Sequence, residues 1–478
     1  MKNWTRRAGL PAVAAFAVVL SGCDLEVLNP GAIQDADLVT PELMPVLVAG
    51  VSAEYNDVQD SYAFDIARLS DELAGTGSYG STQDYRTGFF TDQDAEGNWE
   101  QMHEAAWAAD QAWQRLQQVL EGAANSSPDA ARLFVLRGHA FNRLGEAYCR
   151  VVFDIGPSED RSVAFTKAKA AFQQALTIQP SGEWANAALM GIAQSEFLLA
   201  AVGAGSWATA DAAAATAIST INDIGYSDDA IYAQGANSNL FWVETWNRAE
   251  VGVYRTLAQA MRDQSVTDGD PDPRVAYTRC GEWNDLASAY PDNIPGKVTP
   301  TGNCAGDGSG AHQGADGDHA HYRQDIYDSQ GSDIPRASVA EMYMIRAEAA
   351  LQGTPDYAAF IGFINDVRAH HGMDPLATPS AMGMLNNSDG DWSTGYTVDD
   401  LTDANAATAY AILDRERYAN TWMQGKRLFD LERWDHPFLT SQGWITGSTS
   451  VNERVACWPM PRNECQLNPN LQGDPACG

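Results

Sequence analysis

The chain has 478 residues, 63 of them acidic and 30 basic, for a net charge of −33. That surplus repels phosphate backbones and anionic lipid surfaces and excludes a nucleic-acid-binding role. The length suffices for a large core, and beyond the N-terminus no stretch approaches the ~20 uninterrupted apolar residues of a membrane-spanning helix.

The chain opens on Lys2, Arg6 and Arg7, followed by an apolar run from Leu10 to Leu20 and then Ser21-Gly22-Cys23. As a helix the run spans about 16 Å, roughly half a bilayer core. Residues 1–22 therefore read as a secretion signal. An aliphatic residue, a small residue and a glycine directly before cysteine resemble a bacterial lipobox, in which the cysteine is lipidated and becomes the new N-terminus. This resemblance makes Cys23 the lipidation site and residues 23–40 a tether to one domain, 41–478. Multiple acyl chains, at ~0.8 kcal/mol per buried methylene, would hold it to a membrane.

From Glu42 to Glu72 the pattern is mostly helical, and residues 74–94 read as a loop rich in Gly, Ser, Thr, Tyr and Asp. Trp99, Met102, Ala106, Ala109, Trp113, Leu116 and Leu120 then alternate at three- and four-residue spacing, which predicts an amphipathic helix. Gly122 and Ser126-Ser127-Pro128 end it. Trp107 lies off that stripe, either exposed or against another helix. Phe141, Leu144, Gly145 and Tyr148 resemble the first half of a tetratricopeptide (TPR) unit; Ala168, Phe172, Ala175 and Pro180 resemble the second. The small residues would let antiparallel helices approach, while Phe141, Tyr148 and Phe172 fill the space between pairs. Alanine-rich helices are expected at 184–201 and 207–222.

Residues 225–335 are dominated by Gly, Asp, Pro and Asn; a helix near 247–262 is expected among long ordered loops. Helices return at 336–352, 356–371 and 404–434, ahead of an irregular tail over 435–478. With Cys23 assigned to lipid, six of the seven cysteines remain. An even remainder in an oxidising compartment points to disulfides. Cys280 to Cys304 would close the Gly/Asp/Pro-rich loop and Cys465 to Cys477 would staple the tail. That leaves Cys149 with Cys457, although spacing alone does not fix the connectivity. No C-x-x-C zinc spacing occurs.

Four C-terminal segments carry a more specific resemblance. Ala340-Glu341 through Ala347-Glu348-Ala349 is similar to an A-E-x(5)-A-E-A helix, and Asn365-Asp366-Val367-Arg368 to an N-x-V-R helix. Glu416-Arg417, then Gly425-Lys426-Arg427 through Asp430-Leu431-Glu432-Arg433-Trp434, follows E-R-x(7)-G-x-R-x-x-D-L-x-R-W. Trp458-Pro459-Met460-Pro461, Glu464 and Asn468-Pro469-Asn470 resemble a P-I-P-x-x-E…N-P ending. Together with the lipobox these look like the SusD/RagB family of nutrient-binding lipoproteins; Asn420 and Gln424 depart from the glutamates common in the third motif. The resemblance implies a mostly α fold, a TPR-like helix-turn-helix superhelix of about four helix pairs (mainly 42–222 and 336–434) with a large irregular loop-rich subdomain at 225–335. It further implies an outer-membrane, surface-facing protein that captures an oligosaccharide or peptide for a SusC-like TonB-dependent transporter.

No G-x-S-x-G, H-E-x-x-H, Walker or Rossmann pattern appears, and no enzyme, catalytic residue, cofactor or metal is expected. Glu341 and Glu348 share a helix face, and Arg427, Asp430 and Arg433 recur at i, i+3. A glycosidase carboxylate pair is one reading of them; their place inside amphipathic helices favours structural ion pairs. His312, Asp307, Asp316, Asp318, His319 and His321 read as a solvated polar loop, with calcium conceivable at Asp307–Asp318. Tyr79, Tyr85, Trp283 and Trp392 fall in Gly/Asp/Ser/Thr-rich loops, where an aromatic face can stack on a sugar ring. With Arg86 and Asn284 they form the candidate ligand contacts; loops 74–94 and 278–292 occupy chain positions similar to ligand-bearing loops of the family. A lipid-anchored glycoside hydrolase and a TPR scaffold of the cell envelope without a small ligand are the alternatives.

Overall fold

The computed structural model describes residues 39–235, 237–268, 272–280, 304, 314–316, 321–386, 395–402, 404–440 and 454–477. Cys23, Trp283, Asn284 and Trp392 lie outside the described residues, as do Asp307, His312, Asp318 and His319.

Helix α1 (Met44–Leu69) leads to a short strand β1 (Ala74–Gly75) and helix α2 (Gly80–Arg86). Helices α3 (Glu96–Leu120) and α4 (Pro128–Ala147) follow, then the hairpin of β2 (Arg150–Val151) and β3 (Glu159–Asp160). Next come α5 (Ser162–Ile178), α6 (Glu183–Ala201) and α7 (Trp207–Ile221). The loop-rich region holds β4 (Ser227–Ala230), the single turn α8 (Leu240–Trp242), β5 (Val251–Gly252), α9 (Leu257–Asp268), β6 (Tyr277–Arg279), β7 (Tyr322–Gln324) and β8 (Ile334–Ser338). The C-terminal part contributes α10 (Val339–Ala350), α11 (Tyr357–His370), α12 (Val398–Thr402), α13 (Ala409–Thr421), α14 (Arg427–Arg433) and α15 (Arg462–Leu467).

The long helices stack in chain order. α3 packs on α1, α4 on α3, and so on to α7, which packs on α10; α10 then packs on α11 and α13. The loop-rich region interrupts this series between α7 and α10, and the antiparallel pair β4–β8 closes it off, with Ser227 opposite Ser338. The TPR logic holds at atomic level: a Cβ on Gly145 would sit 2.3 Å from the Phe165 ring, so only glycine lets α5 approach α4 this closely. Among the described residues no helix is long and apolar enough to cross a membrane.

Four element boundaries differ from the sequence reading. The 74–94 loop contains α2. The helix expected near 247–262 begins only at Leu257, because Val251 and Gly252 are drawn into pairing with β1. The 404–434 helix is broken between α13 and α14, where Met423 (φ 58°) and Gly425 (φ 79°) turn the backbone left-handed. Arg336 belongs to β8 rather than a helix; α10 starts after it, capped by Ser338 Oγ, which accepts from Glu341 N at 3.1 Å.

The interior is unusually ionic. Arg274 and Arg368 donate to opposite oxygens of Glu416, each at 2.7 Å. Arg417 donates to Asp430 at 2.6 Å, and Arg433 bridges Asp430 and Glu348. Arg336 grips Asp228 through two bonds of 2.7 and 3.0 Å, and Glu341 accepts from Gln194 at 2.6 Å. The motif charges thus join helices across the core, and Glu341 and Glu348 are each 1% exposed. Three disulfides, Cys149–Cys457, Cys280–Cys304 and Cys465–Cys477, match the pairs read from the sequence.

Buried titratable groups set a pH optimum. Burial holds the imidazoles of His103, His139 and His321 down at about 4 and lifts the Asp60 and Glu72 carboxyls to about 8. As pH falls below about 6.5 the unfolded chain gains protons on three histidines that the native state refuses, and stability drops. As pH rises from about 6.5 towards 8, the native state retains two carboxyl protons that the unfolded chain has already released, and stability drops again. Below about 6.5 the three histidines outweigh the two carboxyls, so the signs do not cancel. Melting temperature is expected to peak near pH 6.5 in a thermal-denaturation series. Asp60→Asn, which mimics the protonated acid, should flatten the alkaline limb; an unchanged alkaline limb would refute the assignment.

Candidate functional site

A cleft of about 400 Å³ opens between α1, the start of α3, the loop before α2 and the 240–250 segment. Its walls carry Phe64, Asp65 and Arg68 from α1, Tyr79 and Thr82 at α2, and Asp94, Asn98 and Gln101 at α3. Leu240, Glu244 and Glu250 close it from the loop-rich region.

Local geometry explains how the loop reaches this place. β1 pairs with β5, Gly75 opposite Val251, and Thr76 N donates to Glu250 O at 3.0 Å. A Cβ on Gly77 would lie 1.8 Å from Glu250 Oε2, so glycine there is what admits the carboxylate. Glu250 then accepts from Ser78 N at 2.9 Å and Ser78 Oγ at 3.2 Å. Ala249, at φ 53°, occupies the left-handed region that a Cβ disfavours and so swings Glu250 towards the cleft. Its carbonyl is held by Thr76 Oγ1 at 3.2 Å and by Ala315 N at 2.9 Å.

The other polar groups are equally fixed. Asp65 accepts from Arg68 and, at 2.7 Å, from Asn98 Nδ2. Asp94 accepts from Thr91 N and Oγ1 at 2.8 and 2.6 Å. Glu244 accepts from Arg248 at 2.7 Å, and burial raises its pKa despite that partner. The Arg68 guanidinium lies 4.6 Å from the centre of the Phe64 ring and 4.3 Å from that of Tyr85.

Of the expected ligand contacts, Tyr79 is 49% exposed on the cleft wall. Tyr85 does not reach the surface: it is 6% exposed, packed between Arg68 and Phe90, because α2 lies against α1. Arg86 is also buried; it donates to Gly75 O at 3.0 Å and lies 3.7 Å from Asp316. Both are corrections to the sequence reading, and both support the cleft from beneath. Asp316, one of the conceivable calcium ligands, faces Arg86, and its backbone N donates to Thr76 O at 3.0 Å. Among the described residues no cluster of three or more His, Cys, Asp or Glu is arranged to hold a metal. Asp65, Asn98, Glu244 and Glu250 went unrecognised in the sequence. The usable signal was Asn98 on the otherwise apolar face of α3.

A larger groove of about 600 Å³ runs between α1 and α3, lined by Val46, Val51 and Trp107. It resolves the placement of Trp107, which is 61% exposed. The smaller cleft is the better ligand site, because an aromatic face and several oriented polar groups converge there.

Residues 317–475 match the SusD family model. Over that C-terminal third the chain is similar to the SusD family. Solved structures of this family share its fold at low identity. A SusD homolog from Bacteroides thetaiotaomicron superposes with a TM-score of 0.61 at 15% identity, over 91% of this chain and 97% of its own. A SusD-like protein from Bacteroides fragilis gives 0.59 at 13%, over 90% and 96%. A SusD-like carbohydrate-binding protein from Bacteroides vulgatus gives 0.52 at 13%, over 82% and 83%. No curated protein matches in sequence. The motif residues Glu341, Glu348, Glu416, Arg417, Arg427, Asp430 and Arg433 form the ionic frame of the core, and none of them lines the cleft.

Proposed function

We propose that the protein is a non-enzymatic, lipid-anchored nutrient-binding protein that captures an oligosaccharide and passes it to a SusC-like TonB-dependent outer-membrane transporter. The single observation that carries ligand capture is the cleft: Tyr79 offers an exposed ring beside oriented carboxylates and amides, the combination that holds a sugar ring by stacking and its hydroxyls by hydrogen bonds. The carbohydrate-binding relative from B. vulgatus supports a glycan over a peptide. Cys23 would carry the anchor, and Trp283, Asn284 and Trp392 remain proposed contacts. The groove where Val46 and Trp107 are exposed, rimmed by Gln111, Gln114 and Gln118, supports a protein partner on the α1–α3 face.

Tyr79→Ala is expected to weaken oligosaccharide binding about tenfold, ~1.4 kcal/mol, with melting temperature unchanged. Titration calorimetry with ligands drawn from a glycan array would check it. Unaltered affinity would remove Tyr79 from the site. Turnover of any glycan, abolished by replacing one cleft carboxylate, would move the reading to the hydrolase alternative.

A further inference from the structure

The polarity of the cleft carries a statement about the ligand, and it rests on the saccharide-binding reading above. Four carboxylates line it, from Asp65, Asp94, Glu244 and Glu250, whereas the cation among the described lining residues is Arg68. Arg68 is neutralised by Asp65 and stacked between Phe64 and Tyr85, with its Nε buried and unpaired. Glu244 is paired to Arg248, so the surplus negative charge rests on Asp94 and Glu250. Asn98 adds a further acceptor. Its Nδ2 donates to the Asp65 carboxylate, which can only accept, so the amide orientation is fixed with Oδ1 turned away. That Oδ1 is buried without a hydrogen-bond partner, on a residue 6% exposed that lines the cleft. A buried acceptor left without a partner is costly. The cleft therefore carries net negative charge, which opposes any ligand bearing carboxylates or sulfates.

We propose that this cleft selects saccharides with free amino groups, placing a protonated hexosamine ammonium among Glu244 and Glu250 with its sugar ring against Tyr79. An ammonium is a cation with donors and no acceptor, so it matches the surplus carboxylates of this lining. Glu250 is presented for this by Gly77 and Ala249, which hold its carboxylate in place at the cost of an unfavourable backbone angle.

The test is titration calorimetry of the mature protein at about pH 6, where an amine is protonated. The probes are a glucosamine oligomer, its fully N-acetylated counterpart and a galacturonate oligomer of equal length. The glucosamine oligomer is expected to bind about tenfold tighter than the acetylated one. That preference should shrink as salt rises from about 0.05 to 0.5 M, and galacturonate should not bind. Glu244→Gln and Glu250→Gln should each remove most of the preference, the glucosamine oligomer losing far more affinity than the acetylated one. Should either variant fail to fold, the salt dependence of the unaltered protein decides alone. Equal affinity for the two hexosamine forms, or binding of the uronate, overturns the amino selectivity and leaves saccharide capture standing. Binding of none of the three overturns both.

Discussion

Replacing Arg427 by alanine is expected to destabilise the fold by about 3–5 kcal/mol, the cost of leaving buried charges without a partner. The guanidinium donates to both oxygens of Asp71, each at 2.6 Å, and its third arm reaches Asp414. Asp71 and Asp414 are both fully buried, so neither can recover its hydration when Arg427 is removed. Tyr396 also donates to Asp71, at 2.5 Å, and His436 lies 3.4 Å from Asp414, but neither supplies the missing fork. The interaction spans the chain, tying the end of α1 to α13 and α14. Denaturant unfolding followed by far-UV circular dichroism would measure the loss. Adding Asp71→Asn and Asp414→Asn to Arg427→Ala should recover much of it, because the uncompensated charges then disappear. A loss below about 1 kcal/mol would show that water reaches this centre.

Trp458→Ala should cost a similar amount, about 3–5 kcal/mol, for a different reason. Trp458 is fully buried, stacked 5.0 Å from Phe90 and edge-on to Tyr148 and Tyr62 at 5.3 and 5.9 Å. Its backbone N donates to Ala147 O at 2.7 Å and its carbonyl accepts from Cys149 N at 3.0 Å. The neighbouring Cys149–Cys457 disulfide pins the same crossing. Because the crosslink persists, the tail stays tethered and the measured loss reports the cavity rather than detachment of the segment. Limited proteolysis separates the outcomes. Cleavage within 459–477 at native-state rates would mean that the tail stays docked without the indole, and that the aromatic cluster holds less than its burial indicates.

Different physical signals made different parts of this protein legible. The three- and four-residue spacing of α3 is a local property, and it placed Trp99 and Met102 in the core, where they are 5% and 0% exposed. The pairing of small residues with bulky aromatics predicted close helices; Phe165 is the ring against Gly145, while Phe172, named from the pattern, packs against Gly138 and Gly191. The charged motifs revealed helices but not their partners, since an ion pair such as Arg427–Asp71 joins positions 356 residues apart.

The ligand cleft was least legible. A loop's composition shows that it is a loop, not which of its aromatics faces outward. Tyr79 and Tyr85 looked equivalent until α2 folded onto α1, leaving Tyr79 exposed and burying Tyr85 beside Arg68. Glu250 carries no local signature, and Asn98 only its place on the otherwise apolar face of α3. Each acquires its role only when strand pairing at β1–β5 and helix packing at α1–α3 bring three distant segments together. Sequence alone therefore determined what is set by neighbours along the chain: charge, helix faces, cysteine parity and the charged motifs. Which side chains converge on one cleft was decided by tertiary structure, because that convergence depends on packing between residues whose separation in sequence leaves no periodic trace.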